Sequence, residues 1–154
     1  MFIRNQRRGF SLIELLIVIA IILIIITIAM PKLQRAQIAA RDMAAIQAVK
    51  TIHTVQVQYY SQYGRYATTL AELGPPASGN PSSAAADLIG NDLANGEKQG
   101  YKYILSGTPG GYVILAQPVT YNSSGSKNLY SDQSMTIHVN EGPEPATVQS
   151  KELR

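Results

Sequence analysis

One block of the chain is almost wholly apolar, and the rest alternates. Phe10 to Met30 is a run of 21 residues broken by a single charge, Glu14, and Leu15 to Ile26 holds no polar residue. At 1.5 Å per residue a helix needs about 20 residues to cross a bilayer core. Its many Ile and Val residues would suit a strand in water. In lipid only a helix satisfies all of its own backbone groups, so the solvent overrides local propensity. A transmembrane helix is therefore predicted over residues 10–31, ending at Pro31, which removes a backbone donor and clashes with the preceding turn. Glu14 is the anomaly, because a carboxylate inside a span costs about 2.5–3.5 kcal/mol on insertion scales and normally faces a partner.

Beyond Pro31 the pattern becomes amphipathic. Residues 32–63 lack Gly and Pro and are rich in Ala, Gln, Arg and Lys, so the helix is predicted to continue. One stripe runs Ala36, Ala40, Ala44, Ala48, Ile52, Val55, Tyr59, Tyr63, and a second runs Ile38, Ala45, Val49, Val57, Tyr60. A surface helix in a monomer needs one stripe. Two suggest that one packs on the chain's own head and the other on neighbouring copies, the alternative being deeper burial within the head. Gly64 suits a helix cap. Residues 64–100 form a Gly/Pro/Ser/Asn-rich loop with short helices expected near Thr68–Leu73 and Ser83–Leu93. From Tyr101 to Val139 period-two runs appear. Tyr101–Leu105 and Gly111–Ala116 flank Gly107-Thr108-Pro109-Gly110, while Asn128–Tyr130 and Met135–Val139 flank Ser131–Ser134, giving two hairpins. The tail, residues 140–154, contains Gly142, Pro143 and Pro145 and is expected to be loosely held. These elements predict an α+β chain: a long N-terminal helix, membrane-spanning in its first half, packed on a small antiparallel sheet of about four strands.

Charge sharpens this division. The formal net charge is +3, and Arg4, Arg7 and Arg8 supply all of it. From Phe10 onward ten basic residues face ten acidic ones. No nucleic-acid partner is expected of so neutral a body, because phosphate contacts need clustered Lys and Arg. The three leader arginines predict a cytoplasmic N-terminus and an exported body, a bias that Lys32 and Arg35 weaken but do not outnumber. An ordinary signal peptide cleaved after Thr27-Ile28-Ala29 is the plainer alternative. Against it stand the length of the apolar run and the acid near its start.

Gly9-Phe10-Ser11-Leu12-Ile13-Glu14, behind a short basic leader and ahead of an apolar helix ending in Pro31, resembles the type III signal of type IV pilins and type II secretion pseudopilins. The resemblance covers about the first 31 residues. It implies a leader at residues 1–9, cut between Gly9 and Phe10 by a membrane prepilin peptidase that also N-methylates Phe10. It implies that Glu14 pairs with the N-terminal amine of a neighbouring subunit during assembly. Opposite charges close together in low dielectric attract strongly, and pairing offsets the desolvation of both. The implied partners are the peptidase, further copies and other pilins in a filament, an inner-membrane assembly platform and the lipid bilayer. Family helices often carry a Gly where this chain has Leu23, so any loosening of the helix here rests on Pro31.

Other chemistry is sparse. There is no cysteine, hence no disulfide, thiolate site or cysteine nucleophile. His53 and His138 lack metal-ligand spacing and read as surface residues. Asp132, beside Ser131 and Ser134, is the one calcium candidate, although Asp in a tight turn usually bonds its own following backbone. No phosphate loop or nucleophile elbow occurs, so no cofactor and no enzyme are expected. Tyr59, Tyr60, Tyr63 and Tyr66 cluster at the end of the long helix, where tyrosine supplies amphipathic contact area. The expected function is that of a structural subunit of a pilus-like filament, located in the inner membrane and then in a periplasmic or surface filament. The alternatives are a pseudopilin of a periplasmic export filament and a minor pilin for DNA uptake or adhesion.

Overall fold

A computed structural model describes residues 9–108 and 110–153. The first eight residues of the leader, with Arg4, Arg7 and Arg8, and Pro109 of the first hairpin lie outside the described residues. The chain divides into two compact units, residues up to Ala36 and residues from Gln37 on. The longest element, α1 (Leu12–Tyr63), contributes to both, and it is helical through Pro31.

The first unit is a bare apolar rod. Its large hydrophobic side chains are all exposed, from 46% for Val18 and Ile26 to 86% for Leu12. The rod is long and apolar enough to cross a membrane. Thr27, a polar residue in its second half, donates its hydroxyl to the Ile24 carbonyl at 2.8 Å. That bond satisfies the hydroxyl within the helix, as a span in lipid requires.

The second unit has a conventional core. Here α1 buries Asp42, Ala45, Ile46, Ala48, Val49, Ile52, His53, Val55, Gln56 and Tyr59. This face merges parts of both sequence stripes instead of keeping them apart. Ala48, Ile52, Val55 and Tyr59 come from the first, Ala45 and Val49 from the second. Ala36, Ala40, Val57 and Tyr60 remain exposed. Gly64 closes the helix with φ +70°, its amide bonded to the Tyr60 carbonyl at 2.8 Å. Only a residue without a Cβ adopts that conformation freely.

The loop after α1 carries α2 (Leu70–Leu73) and α3 (Asn91–Ala94). The helix expected near Ser83–Leu93 is confined to its C-terminal end. Residues 86–89 instead run as irregular chain against α2, with Asp87 at φ +56° and their amides bonded to the carbonyls of Glu72, Leu73 and Gly74. Ala86 and Ile89 are thereby buried.

The sheet is antiparallel throughout, ordered β1 (Glu97–Lys98), β2 (Tyr101–Thr108), β3 (Gly111–Pro118), β4 (Asn128–Asp132), β5 (Ile137–Asn140), β6 (Lys151–Glu152). It has six strands where about four were expected, the additions being two-residue edge pairs. Register places Tyr103 opposite Ala116, Leu105 opposite Ile114, Ala116 opposite Leu129, and Leu129 opposite Val139. These residues share one buried face and cover α1, with polar or half-exposed neighbours on the other face. The result is an α+β, pilin-like fold.

The tail departs from expectation. Instead of hanging loosely it returns to the sheet as β6, and the Leu153 amide bonds the Ile137 carbonyl at 2.8 Å. His138 Nδ1 lies 2.8 Å from the Ser150 carbonyl, an acceptor only, so that nitrogen carries the proton and donates. Ala146 is buried. The prolines shape the path of the tail without freeing it.

Candidate functional site

The N-terminal site sits at the start of α1. Gly9 and Phe10 precede the helix, both exposed, and a Cβ added to Gly9 would meet nothing within 4 Å. No packing within the described fold therefore demands glycine at position 9. Ser11 is the last residue before the helix, and its amide donates to Glu14 Oε2 at 2.9 Å. This is one half of a capping box, in which an acid at the third helical position satisfies an otherwise orphaned amide. The carboxylate also lies at the positive end of the helix dipole. Of the residues singled out in the sequence, the structure brings Glu14 to the start of the chain's helix, near Phe10. Pro31 lies far along the same helix and Asp132 belongs to the head.

Asp132 is occupied as a turn former. Its Oδ1 accepts the Ser134 amide at 2.8 Å, and its carbonyl accepts the Met135 amide at 2.9 Å. Hydrogen bonding from Ser134, first by its side chain and then by its amide, holds the carboxyl below its ordinary value against the opposing effect of burial. Among the described residues no group of three or more His, Asp or Glu side chains could hold a metal ion.

A polar seam beneath α1 escaped the sequence reading. Asp42 Oδ1 accepts the Tyr101 hydroxyl at 2.6 Å and the Ser126 amide at 2.9 Å, while Oδ2 accepts the Ser126 hydroxyl at 2.5 Å. Gly125 allows this approach, since any Cβ there would collide with the Tyr101 ring. Burial, and then the neighbouring Asp42 carboxylate, push the Tyr101 phenol well above its usual value.

His53 is buried, contrary to the surface position expected of it. Its Nδ1 lies 2.7 Å from the Tyr112 hydroxyl and its Nε2 lies 2.7 Å from Ser131 Oγ. The Ser131 hydroxyl donates to the Thr136 carbonyl at 2.7 Å. Ser131 must then accept from Nε2–H, which leaves Nδ1 to accept from Tyr112. The neutral Nε2–H tautomer thus satisfies a one-way chain, Tyr112 to His53 to Ser131 to Thr136. Burial lowers the His53 pKa, opposed by the nearby charge of Asp132. The Tyr112 phenol is pushed up to about 12, chiefly by burial.

Two more anchors complete the seam. Gln56 pairs both ends of its amide with the Ala67 backbone, each bond 2.9 Å. The Tyr59 hydroxyl reaches the Ser83 carbonyl at 2.5 Å and Glu72 Oε2 at 3.0 Å. Glu72 also takes Arg65 at 2.7 Å and the Thr68 hydroxyl at 2.5 Å. Desolvation alone would raise the Glu72 pKa, but the donors from Thr68, Arg65 and Tyr59 together lower it. The tyrosines pack as Tyr59 with Tyr63 at 4.7 Å and Tyr60 with Tyr66 at 4.8 Å between centroids. No buried side-chain polar atom among the described residues lacks a partner. Asp42, His53 and Gln56 were hidden because polar residues on a helix are ordinarily assigned to its wet side. Their only signal is spacing, since they fall on the same face as Ala45, Val49 and Ile52.

Residues 4–30 match a family model described as the prokaryotic N-terminal methylation motif. The chain carries a prepilin-type signal. This prepilin signal spans the basic leader, Gly9, Phe10, Glu14 and the rod up to Met30, and it leaves the head outside the match. No curated protein and no solved structure matches the chain. The prepilin signal implies processing by prepilin peptidase and assembly with other pilins.

Proposed function

We propose that the chain is the precursor of a structural subunit of a helical, type IV pilus-like filament, assembled from the inner membrane. The observation that carries this reading is Glu14, one carboxylate in a wholly exposed apolar rod, placed directly behind the Gly9–Phe10 junction of a prepilin signal. The leader arginines hold the N-terminus in the cytoplasm and the head lies across the membrane. Prepilin peptidase cuts between Gly9 and Phe10 and methylates the new amine. Glu14 of an incoming subunit docks on such an amine at the filament base, and the two charges neutralise each other away from water. Each contact joins different surfaces and does not close on itself, so repetition gives an open helix. The rods form the filament core and the heads face outward. No catalysis is involved.

Mass spectrometry of the mature N-terminus tests the reading. A chain beginning at methylated Phe10 is expected. A chain beginning beyond the rod, or retaining its leader within filaments, refutes it. The location of the filament separates a surface pilus from a periplasmic export pseudopilus.

A further inference from the structure

The head's core is closed on the sheet side of α1, and the opposite side of the same helix mixes apolar residues with polar ones. Met43, Gln47, Lys50, Thr54 and Val57 line it, with Met43 66% and Val57 48% exposed. The β4–β5 turn brings Met135 beside this row, 52% exposed. Lys50, Thr54, Val57 and Met135, floored by His53, enclose a groove of about 430 Å³. Met135 holds φ +63°, a left-handed conformation unusual for a long side chain. The turn enforces it through the Met135 amide on the Asp132 carbonyl and the Ser134 amide on the Asp132 carboxylate. An apolar side chain kept at the surface by backbone strain points to contact.

The groove also restricts its occupant. Both His53 ring nitrogens are bonded within the head, so among the described residues that line the groove Lys50 carries the charge. The fitting partner is apolar with one carboxylate. The rod of a second copy has that composition, with Glu14 followed by twelve residues without a polar side chain. We infer that the groove between the outer face of α1 and the β4–β5 turn seats the rod of a second copy, with Lys50 near that copy's Glu14. The inference rests on the filament reading above and adds a head-to-rod contact to it. A carboxylate has acceptor sites enough for a terminal amine and an ammonium together. In a filament the two helices run parallel, so matching Glu14 to Lys50 brings Ile21 to Val57.

The absence of native cysteine makes single-cysteine trapping clean. Full-length chains carrying Val57→Cys or Met135→Cys are co-expressed with chains carrying a cysteine at one of residues 15–26, and the filaments are oxidised. The expected result is mixed dimers that peak for Val57→Cys with Ile21→Cys, and none for Val119→Cys, an exposed site outside the groove. Lys50→Glu should lower their yield several-fold while Gly9–Phe10 cleavage continues. Filaments whose groove cysteines join only each other, another protein, or Val119 controls equally well overturn the inference and leave the filament reading standing. If the unaltered chain forms no filament, that reading falls. Trapping in the membrane fraction then decides the groove separately, and absence of rod-to-groove dimers there overturns it.

Discussion

The rod and the head use the same aliphatic side chains to opposite ends. In residues 12–30 Ile, Leu and Val all face outward, whereas from Ala45 on their counterparts Val49, Ile52, Ile114 and Leu129 are closed inside. The head supplies its own cover, so it owes its stability to contacts within one molecule. The rod has none of its own and depends on lipid or on other copies. Polar residues follow the same division. The head's Asp42, His53 and Gln56 are each satisfied inside the chain, while Glu14 has one local amide and room for more. Damage to the head should therefore be read in unfolding, and damage to the rod in assembly.

The largest effect expected is on the rod. Glu14→Ala should leave cleavage at Gly9–Phe10 intact, seen as the normal gel shift, and reduce filament yield more than tenfold. Normal filaments from that variant would refute the docking role. In the head, Asp42→Ala strands the Ser126 amide and hydroxyl and leaves the Tyr101 hydroxyl only the Lys127 carbonyl, 2.9 Å away, at a cost of about 3 kcal/mol. Denaturant unfolding of the full chain in detergent measures this, and processing should not change. Gln56→Ala removes both bonds to Ala67 and should cost about 2 kcal/mol by the same assay.

Acidity gives a smaller effect. Folding lowers the His53 pKa from its ordinary 6.5, mainly by burial. The neutral ring is the folded form, so this contribution is complete above pH 6.5. It is lost as the pH falls from there through the lowered value. The head's unfolding midpoint should fall between pH 7.5 and 5, and His53→Gln should flatten that slope. A slope unchanged in the variant would remove His53 as its source. The smallest effect on the head is expected from Leu23→Gly. It loosens the rod by about 1 kcal/mol at one position and should leave the head's midpoint where it was.

The rod was legible from sequence because lipid leaves an apolar segment one option, and because a lone acid there has no ordinary explanation. The helix continuing to Tyr63 and the two hairpins were legible from periodicity. The edge strands were not, since Glu97–Lys98 and Lys151–Glu152 are too short to show a period. The two stripes did not separate the faces: α1 buries Ala48, Ile52, Val55 and Tyr59 from one together with Ala45 and Val49 from the other, while Ala36 and Ala40, which precede the buried stretch, stay exposed. Period counting treats Asp42, His53 and Gln56 as wet, so the seam shows only in the folded chain. At the N-terminus, Glu14 stood out in the sequence as a lone acid, while its bond to the Ser11 amide did not show there.

The seam has a mechanical consequence. Asp42, His53, Gln56 and Tyr59 fasten one helix to four separate parts of the head: the 126 loop, strands β3 and β4, the Ala67 segment, and the loop at Ser83. A tug along the helix axis loads these bonds side by side rather than one after another. Bonds sheared in parallel share the force, so a subunit under tension should keep its head attached until several give way together.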